Sequence, residues 1–240
     1  MTAKKISATI AAVLVVPLLA AGSWRHRHPQ AAPAAPTNLA GVLQALDDAA
    51  PKITSVSADA AVADYTALVQ DTTRSSGTLY FKQTKQGPMY ALDLNHPAAT
   101  AKKVVYRQQT LYVYTPSSKQ VIKYALGDKQ DLLNEYLLLG MGSRGDELTR
   151  NFNVTYGGPE TLDNVPTIKL SLTLLHPGNS KLTKIDLWYD TRNWVAAQQQ
   201  IWQVGGDYHL VHFSNVKRGA RLGDDLFSTD FPGATVVTAK

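Results

Sequence analysis

The 240-residue chain contains no cysteine. That excludes disulfides, Cys-ligated zinc, iron–sulfur clusters and a thiol nucleophile. It also excludes a lipid attached to a cysteine after signal cleavage. Charge is sparse as well: charged residues make up 18% of the chain and hydrophobic ones 44%, the balance of a folding sequence rather than a disordered one. The formal net charge of +5 carries little meaning. Of the 24 Lys and Arg, four (Lys4, Lys5, Arg25 and Arg27) lie near the start, and the other 20 face 19 Asp and Glu. A near-neutral remainder lacks the footprint of a nucleic-acid binder. Catalytic signatures are missing too. There is no nucleophile elbow, no H-E-x-x-H and no Ser–His–Asp set that spacing alone brings together, so no enzyme activity is expected.

The chain opens as a secretory signal over residues 1–23. Lys4 and Lys5 precede an apolar run from Ile6 to Ala21, which ends in small residues. Pro17 and the shortness of the run argue for cleavage rather than anchoring, and so for export to the periplasm. Residues 24–36 hold Arg25-His26-Arg27-His28 and a Pro/Ala stretch, read as a disordered linker. The folded domain is expected over residues 37–240.

Thr37 or Asn38 can cap a helix with apolar Leu39, Val42, Leu43 and Leu46 on one stripe, ended by Pro51. Ile53 to Val69 alternates and reads as a first long strand. From Ser76 to Tyr124, short runs rich in Val, Leu and aromatics alternate between turn residues, the pattern of an antiparallel meander. Leu126 to Gly145 interrupts it. Leu132, Leu133, Tyr136, Leu137, Leu138, Leu139 and Met141 make this stretch apolar on more than one face, a helix that plugs a core or closes over a cavity. Strands resume at Phe152. In Thr167–Leu174, Ile168, Leu170, Leu172 and Leu174 point one way. Hairpin turns follow at His176–Asn179, Asp190–Asn193 and Gly205–Asp207. The count is about ten or eleven strands with two helical segments, in a mainly β fold.

Three motifs invite chemistry and fail. Gly140-Met141-Gly142-Ser143-Arg144-Gly145 spells G-x-G-x-x-G but follows a Leu-rich segment without a βαβ context, so it reads as a helix C-cap and loop. His209 and His212, three apart on a strand, face opposite ways and cannot share a metal. Asp186 and Asp190, about 13 Å apart along a strand, read as residues of a wet face. No metal or other cofactor is expected.

Several strings, taken in order, carry a resemblance. Ser76-Gly77-Thr78-Leu79-Tyr80-Phe81-Lys82 is similar to a Gly-Thr-Leu-Trp-x-Lys strand. Tyr90-Ala91-Leu92-Asp93-Leu94, followed by Pro97, stands where an aromatic-Arg-Trp-Asp-Tyr strand and a Pro are found. Thr110 to Pro116, with Gln120 four residues on, is similar to Thr-Leu-Trp-x-Tyr-x-Pro. Phe231-Pro232-Gly233-Ala234 is similar to a closing Pro-x-Gly-x-x-Val. The order of these strings resembles the periplasmic outer-membrane lipoprotein carrier family, LolA-like, as a divergent member.

That resemblance implies a single highly curved antiparallel sheet, an incomplete β-barrel closed by helices, and an apolar cavity for lipoprotein acyl chains. It implies a soluble, monomeric carrier or chaperone that takes chains from an inner-membrane donor and yields them to an outer-membrane acceptor. An envelope lipid or lipoprotein sensor, or an interaction protein of the same fold, is the alternative. Leu79, Phe81, Leu92, Val113, Ile168, Leu170, Leu172 and Leu187 would form the cavity wall, and Leu133, Leu137 and Met141 its lid. Gln83 and Ala91 stand where the family carries arginines, and position 83 would be the latch of the lid.

Overall fold

The structure, a computed structural model, describes residues 35–125 and 139–239. Ala35–Lys240 forms one compact unit by itself. The signal segment, most of the linker, and the lid positions Leu133 and Leu137 lie outside the described residues.

Helix α1 (Leu39–Ala49) starts where the sequence places it. The Asn38 side-chain oxygen accepts the Gly41 N–H at 2.9 Å, satisfying one of the first-turn donors that a helix leaves unpaired. A turn of 3₁₀ helix carrying Pro51 then leads into β1 (Ser55–Thr66). The expected meander follows as β2 (Asp71–Thr84), β3 (Gly87–His96), β4 (Lys102–Arg107), β5 (Thr110–Thr115) and β6 (Gln120–Ala125). After the interruption come helix α2 (Gly145–Asn151), β7 (Phe152–Leu162), β8 (Val165–Leu174), β9 (Leu182–Asp190), β10 (Ala196–Gln203), β11 (Tyr208–Arg218) and finally β12 (Thr235–Ala239).

All twelve strands form one open sheet in the order β12-β6-β5-β4-β3-β2-β1-β11-β10-β9-β8-β7. The described residues thus hold more strands than the ten or eleven expected. The extra strand, β12, pairs in parallel with β6, whereas every other neighbouring pair is antiparallel. The curved sheet stays unclosed, an incomplete barrel.

The inner face, covered by the helices, carries two apolar clusters. Under α1 and α2, Val42, Leu46 and Leu148 meet Phe152, Ile168, Leu170, Leu172, Ile185 and Leu187. Beside it, Ile53 and Met141 meet Val56, Ala58, Leu79, Phe81, Tyr90, Leu92 and Tyr106. The helices are fastened to each other: Asp47 of α1 accepts the Gly145 N–H at the start of α2 at 2.9 Å. A side chain at Gly145 would place its Cβ 2.7 Å from the Leu43 carbonyl oxygen, so glycine is what lets the helices meet.

The outer face has its own cover over β2–β5. After β11 the chain crosses that face before reaching β12. Ser55 Oγ donates to the Ala220 carbonyl at 2.8 Å, and Lys82 Nζ to the Leu222 carbonyl at 3.0 Å and to Asp224 at 2.8 Å. Arg107 donates to the Phe227 carbonyl at 3.3 Å, and Phe231 stacks on Tyr114 with centroids 4.7 Å apart. Phe227 is fully buried against Met89, Ala91 and Val105. This strap was not visible in the sequence as an element.

Two readings are corrected here. The G-x-G-x-x-G string does not end as a loop: its last glycine opens α2, a helix the sequence reading did not contain. Asp186 and Asp190 are both buried rather than on a wet face. Asp186 accepts from Ser171 Oγ at 2.5 Å, Trp202 Nε1 at 3.1 Å and Lys184 Nζ at 2.8 Å, while Lys169 lies over the Trp188 ring. Asp190 holds the tight turn by accepting from Arg192 and Asn193.

Candidate functional site

Alternation sets which side chains reach the inner face. On β2 and β3, Leu79 pairs with Leu92 and Phe81 with Tyr90. On β4 and β5, Val104 pairs with Val113. Because direct cross-strand partners point the same way, these residues form a continuous apolar floor. Leu79, Phe81 and Leu92 are buried in it, and Val113 packs against it half-buried, together with Val104 and Tyr124. Ile168, Leu170, Leu172 and Leu187 lie on the same face, beneath α1 and α2, where they form a packed core. Packing of that kind leaves few voids.

The floor opens at one end into a cavity of about 560 Å³. Phe81, Tyr106, Ile53 and Met141 supply its apolar wall; Gln83, Arg144 and Glu147 stand at its polar mouth. The structure therefore brings together Phe81, Met141 and Gln83 of the residues singled out in the sequence. Ala91 lies on the opposite face, buried under the strap.

The mouth also contains residues that were not among the expected site residues. Arg107 and Thr110 are cross-strand partners around Gln108 and Gln109, which line the cavity with φ of 47° and 62°. Two positive φ values in a two-residue hairpin turn make type I′ geometry, which favours Asn-Gly. Side-chain-bearing residues are strained there, and strained backbone gathers at functional sites. The one signal in the sequence is that Gln-Gln is a poor turn pair. Arg144 and Glu147 were hidden because they belong to the unread helix. There the Glu147 carboxylate accepts the Arg144 N–H at 3.2 Å, and Arg144 Nε is 2.9 Å from Asp146.

The inner face offers little charge chemistry. Burial pushes the phenol of Tyr90 far up from its ordinary value, so it stays neutral. Asp64, at the far end of β1, is held below the usual carboxylate range, first by its hydrogen bond to His209 at 2.5 Å, against the opposing effect of burial. His212 faces the other side of β11, 3.1 Å from Asp163. Among the described residues no three His, Asp or Glu gather as a metal site would require. No helix among them is long and apolar enough to cross a membrane. What the arrangement can do is enclose an apolar ligand.

No protein-family model matches the sequence, and no curated protein matches it. Solved structures do. An uncharacterized conserved protein from Thermus thermophilus is 11% identical, with a TM-score of 0.52 over 82% of this chain and 98% of that one. MucB is 13% identical with a TM-score of 0.51 over 82% of this chain, which spans 65% of MucB's length. A LolA superfamily protein from Nitrosomonas europaea is 16% identical over 82% of this chain and all of that one, with a TM-score of 0.40. At such identities the likeness is one of fold alone. That fold, an open curved sheet forming an incomplete barrel, is the architecture which the sequence resemblance implied.

Proposed function

We propose that the protein is a periplasmic carrier that shields lipoprotein acyl chains, without catalysis. It would take them from an inner-membrane donor and release them to an outer-membrane acceptor. One observation carries the reading: the apolar floor of Leu79, Phe81, Tyr90, Leu92 and Tyr106 continues into an open cavity of about 560 Å³. That volume lies within the ~300–1,000 Å³ of small-molecule sites, and its lining is mixed, apolar from Ile53, Phe81, Tyr106 and Met141 and polar from Gln83, Gln86, Ser143, Arg144 and Glu147. Val104, Val113 and Tyr124, half-buried beside the floor, extend the surface a chain could cover. Acyl chains gain by leaving water in proportion to the apolar area they bury, with no need for a charged partner.

The mechanism is transfer of mass, not of bonds. Phe81 and Met141 would contact the chain, and Gln83, Arg144 and Glu147 would face the polar part of the cargo at the mouth. Position 83 carries no charge, so opening there is not tied to an ion pair. That observation favours keeping a second reading, an envelope sensor or interaction protein in which a bound chain alters a partner contact.

Native mass spectrometry of the purified chain, followed by transfer of an acylated lipoprotein to liposomes, tests the proposal. Co-purifying lipid with transfer is expected. Lipid without transfer would leave the sensor, and neither lipid nor transfer would end both readings.

A further inference from the structure

Six large apolar residues stand exposed among the described residues, and four of them share one end of the sheet. Leu68 is 92% exposed and Val69 66% in the β1–β2 turn; Val204 is 67% exposed in the β10–β11 turn, and Leu175 45% in the β8–β9 turn. These turns are tied together. The Ala67 N–H donates to Asp207 Oδ1 at 2.8 Å, and the Val204 N–H to the Lys181 carbonyl at 2.8 Å. The tips are therefore held in fixed relation to one another.

Behind them on the outer face lies an aromatic row. Tyr65 stacks on Tyr208 with centroids 5.0 Å apart, Tyr208 meets Trp202 at 5.2 Å, and Lys184 Nζ sits 5.1 Å over the Trp202 ring. Next to this row, Ala61, Ala63, Leu210 and Pro97 floor an outer groove of about 600 Å³ that Arg74 and His96 border. His212, also on this groove, is engaged by Asp163. The acids of this end are Asp64, paired with His209, Asp207, used on Ala67, and Asp71, which begins β2.

We propose that this end of the sheet docks on an anionic lipid bilayer. Aliphatic side chains at turn tips would enter the acyl boundary. Tyr and Trp, one end apolar and one wet, would lie at the headgroup level where such rings concentrate. The side chains of Arg74 and His96 would meet lipid phosphates. A protein partner is the poorer fit, because specific interfaces bury ~800 Å² on each side in a well-packed patch, and three separated tips present no such plane. This surface is distinct from the cavity, and the proposal goes beyond the acyl-carrier reading.

The test uses the chain from Ala35 onward, the compact unit, so that the apolar run at Ile6–Ala21 does not itself bind lipid. Flotation is measured with phosphatidylcholine–phosphatidylglycerol vesicles and with phosphatidylcholine alone. Binding to the anionic vesicles is expected to fall by about tenfold or more in Leu68→Asp/Val69→Asp, the effect of removing two aliphatic side chains from an apolar phase. It should be kept in Val236→Asp, an equally solvent-exposed valine on β12, and weakened by Arg74→Gln. Absence of vesicle binding, indifference to the tip variant, equal loss in Val236→Asp, or self-association through the tips in place of flotation would each overturn it. Uptake of a fluorescent fatty acid without vesicles reads the cavity separately, so failure of one proposal is not failure of the other.

Discussion

Replacing Phe227 with alanine removes the most deeply placed side chain of the strap. Its ring is fully buried against Met89, Ala91 and Val105, on the face of the sheet away from the cavity. Truncating a buried Phe costs ~3–5 kcal/mol, transfer and cavity terms together. The neighbouring Lys82–Asp224 pair cannot offset this, since Asp224 is mostly exposed and water screens such a surface pair. With a urea slope of ~1–3 kcal/mol/M, the midpoint should fall by roughly 2 M. That is a large share of a total stability of ~5–15 kcal/mol. Phe227→Leu, which keeps most of the volume, guards against outright loss of folding and should cost less than about 1.5 kcal/mol. The assay is urea unfolding by circular dichroism, with fatty-acid uptake measured on the protein that remains folded. Uptake should be unchanged, because the strap and the floor lie on opposite faces. A loss under about 1 kcal/mol for Phe227→Ala would show that the strap is not packed as described. Normal stability with lost uptake would refute the separation of the two faces.

Gln109→Gly relieves one positive-φ residue at the mouth and should stabilise the fold by ~1 kcal/mol, read as a higher urea midpoint; no gain would mean the turn is not strained. Asp186 provides a pH dependence. Burial alone would raise its carboxyl, but hydrogen bonds from Lys184, Ser171 and Trp202 outweigh it and hold the folded value below the ordinary one. A depressed folded value contributes stability that is present above the unfolded value of ~3.9 and is lost as pH falls through the folded one. Urea midpoints should therefore drop in acid below about pH 4, and Asp186→Asn should lower the neutral midpoint while flattening that acid limb. A parallel acid limb in the variant would contradict the assignment.

The inner face was legible where the period-two rule holds, as on β8 and β2. Ile168, Leu170 and Leu172 on β8 and Leu79 and Phe81 on β2 alternate with polar or half-exposed neighbours, and all point inward. The rule fails on β3, where Met89, Tyr90, Ala91 and Leu92 are buried in succession because the sheet is covered on both sides. The second cover is irregular backbone, and Leu222, Leu226, Phe227 and Phe231 follow no helical or strand period that a sequence could display. Strand β12 was missed for a related reason. It is short, largely exposed and held through parallel pairing with a distant strand. Helix α2 has seven residues and depends on Asp47 from another helix for its first N–H, so its start is a tertiary event. The mouth was half legible: Phe81, Gln83 and Met141 were in view, whereas Arg144 and Glu147 came with the unread helix and Gln108 and Gln109 with a turn of unfavourable chemistry.

Strand β2 links the two proposed surfaces and constrains both. Its first residue, Asp71, follows the exposed Leu68 and Val69, and its last, Thr84, follows Gln83 at the cavity mouth. Fourteen residues of strand at ~3.3 Å each separate the two ends by roughly 45 Å, more than the ~30 Å hydrocarbon thickness of a bilayer. A molecule standing on its turn tips therefore holds its mouth out in the aqueous phase. A chain could not pass from the bilayer through the mouth in that pose, so loading at the mouth while docked would need a protein donor that reaches it from solution. Direct exchange with the bilayer would need release and reorientation. The two routes separate experimentally. If Leu68→Asp/Val69→Asp abolishes flotation yet leaves lipoprotein transfer to liposomes intact, docking and exchange use different poses. If it abolishes both, the docked pose is part of the exchange, and the chain must reach the floor along the half-buried flank of Val104, Val113 and Tyr124 rather than through the mouth.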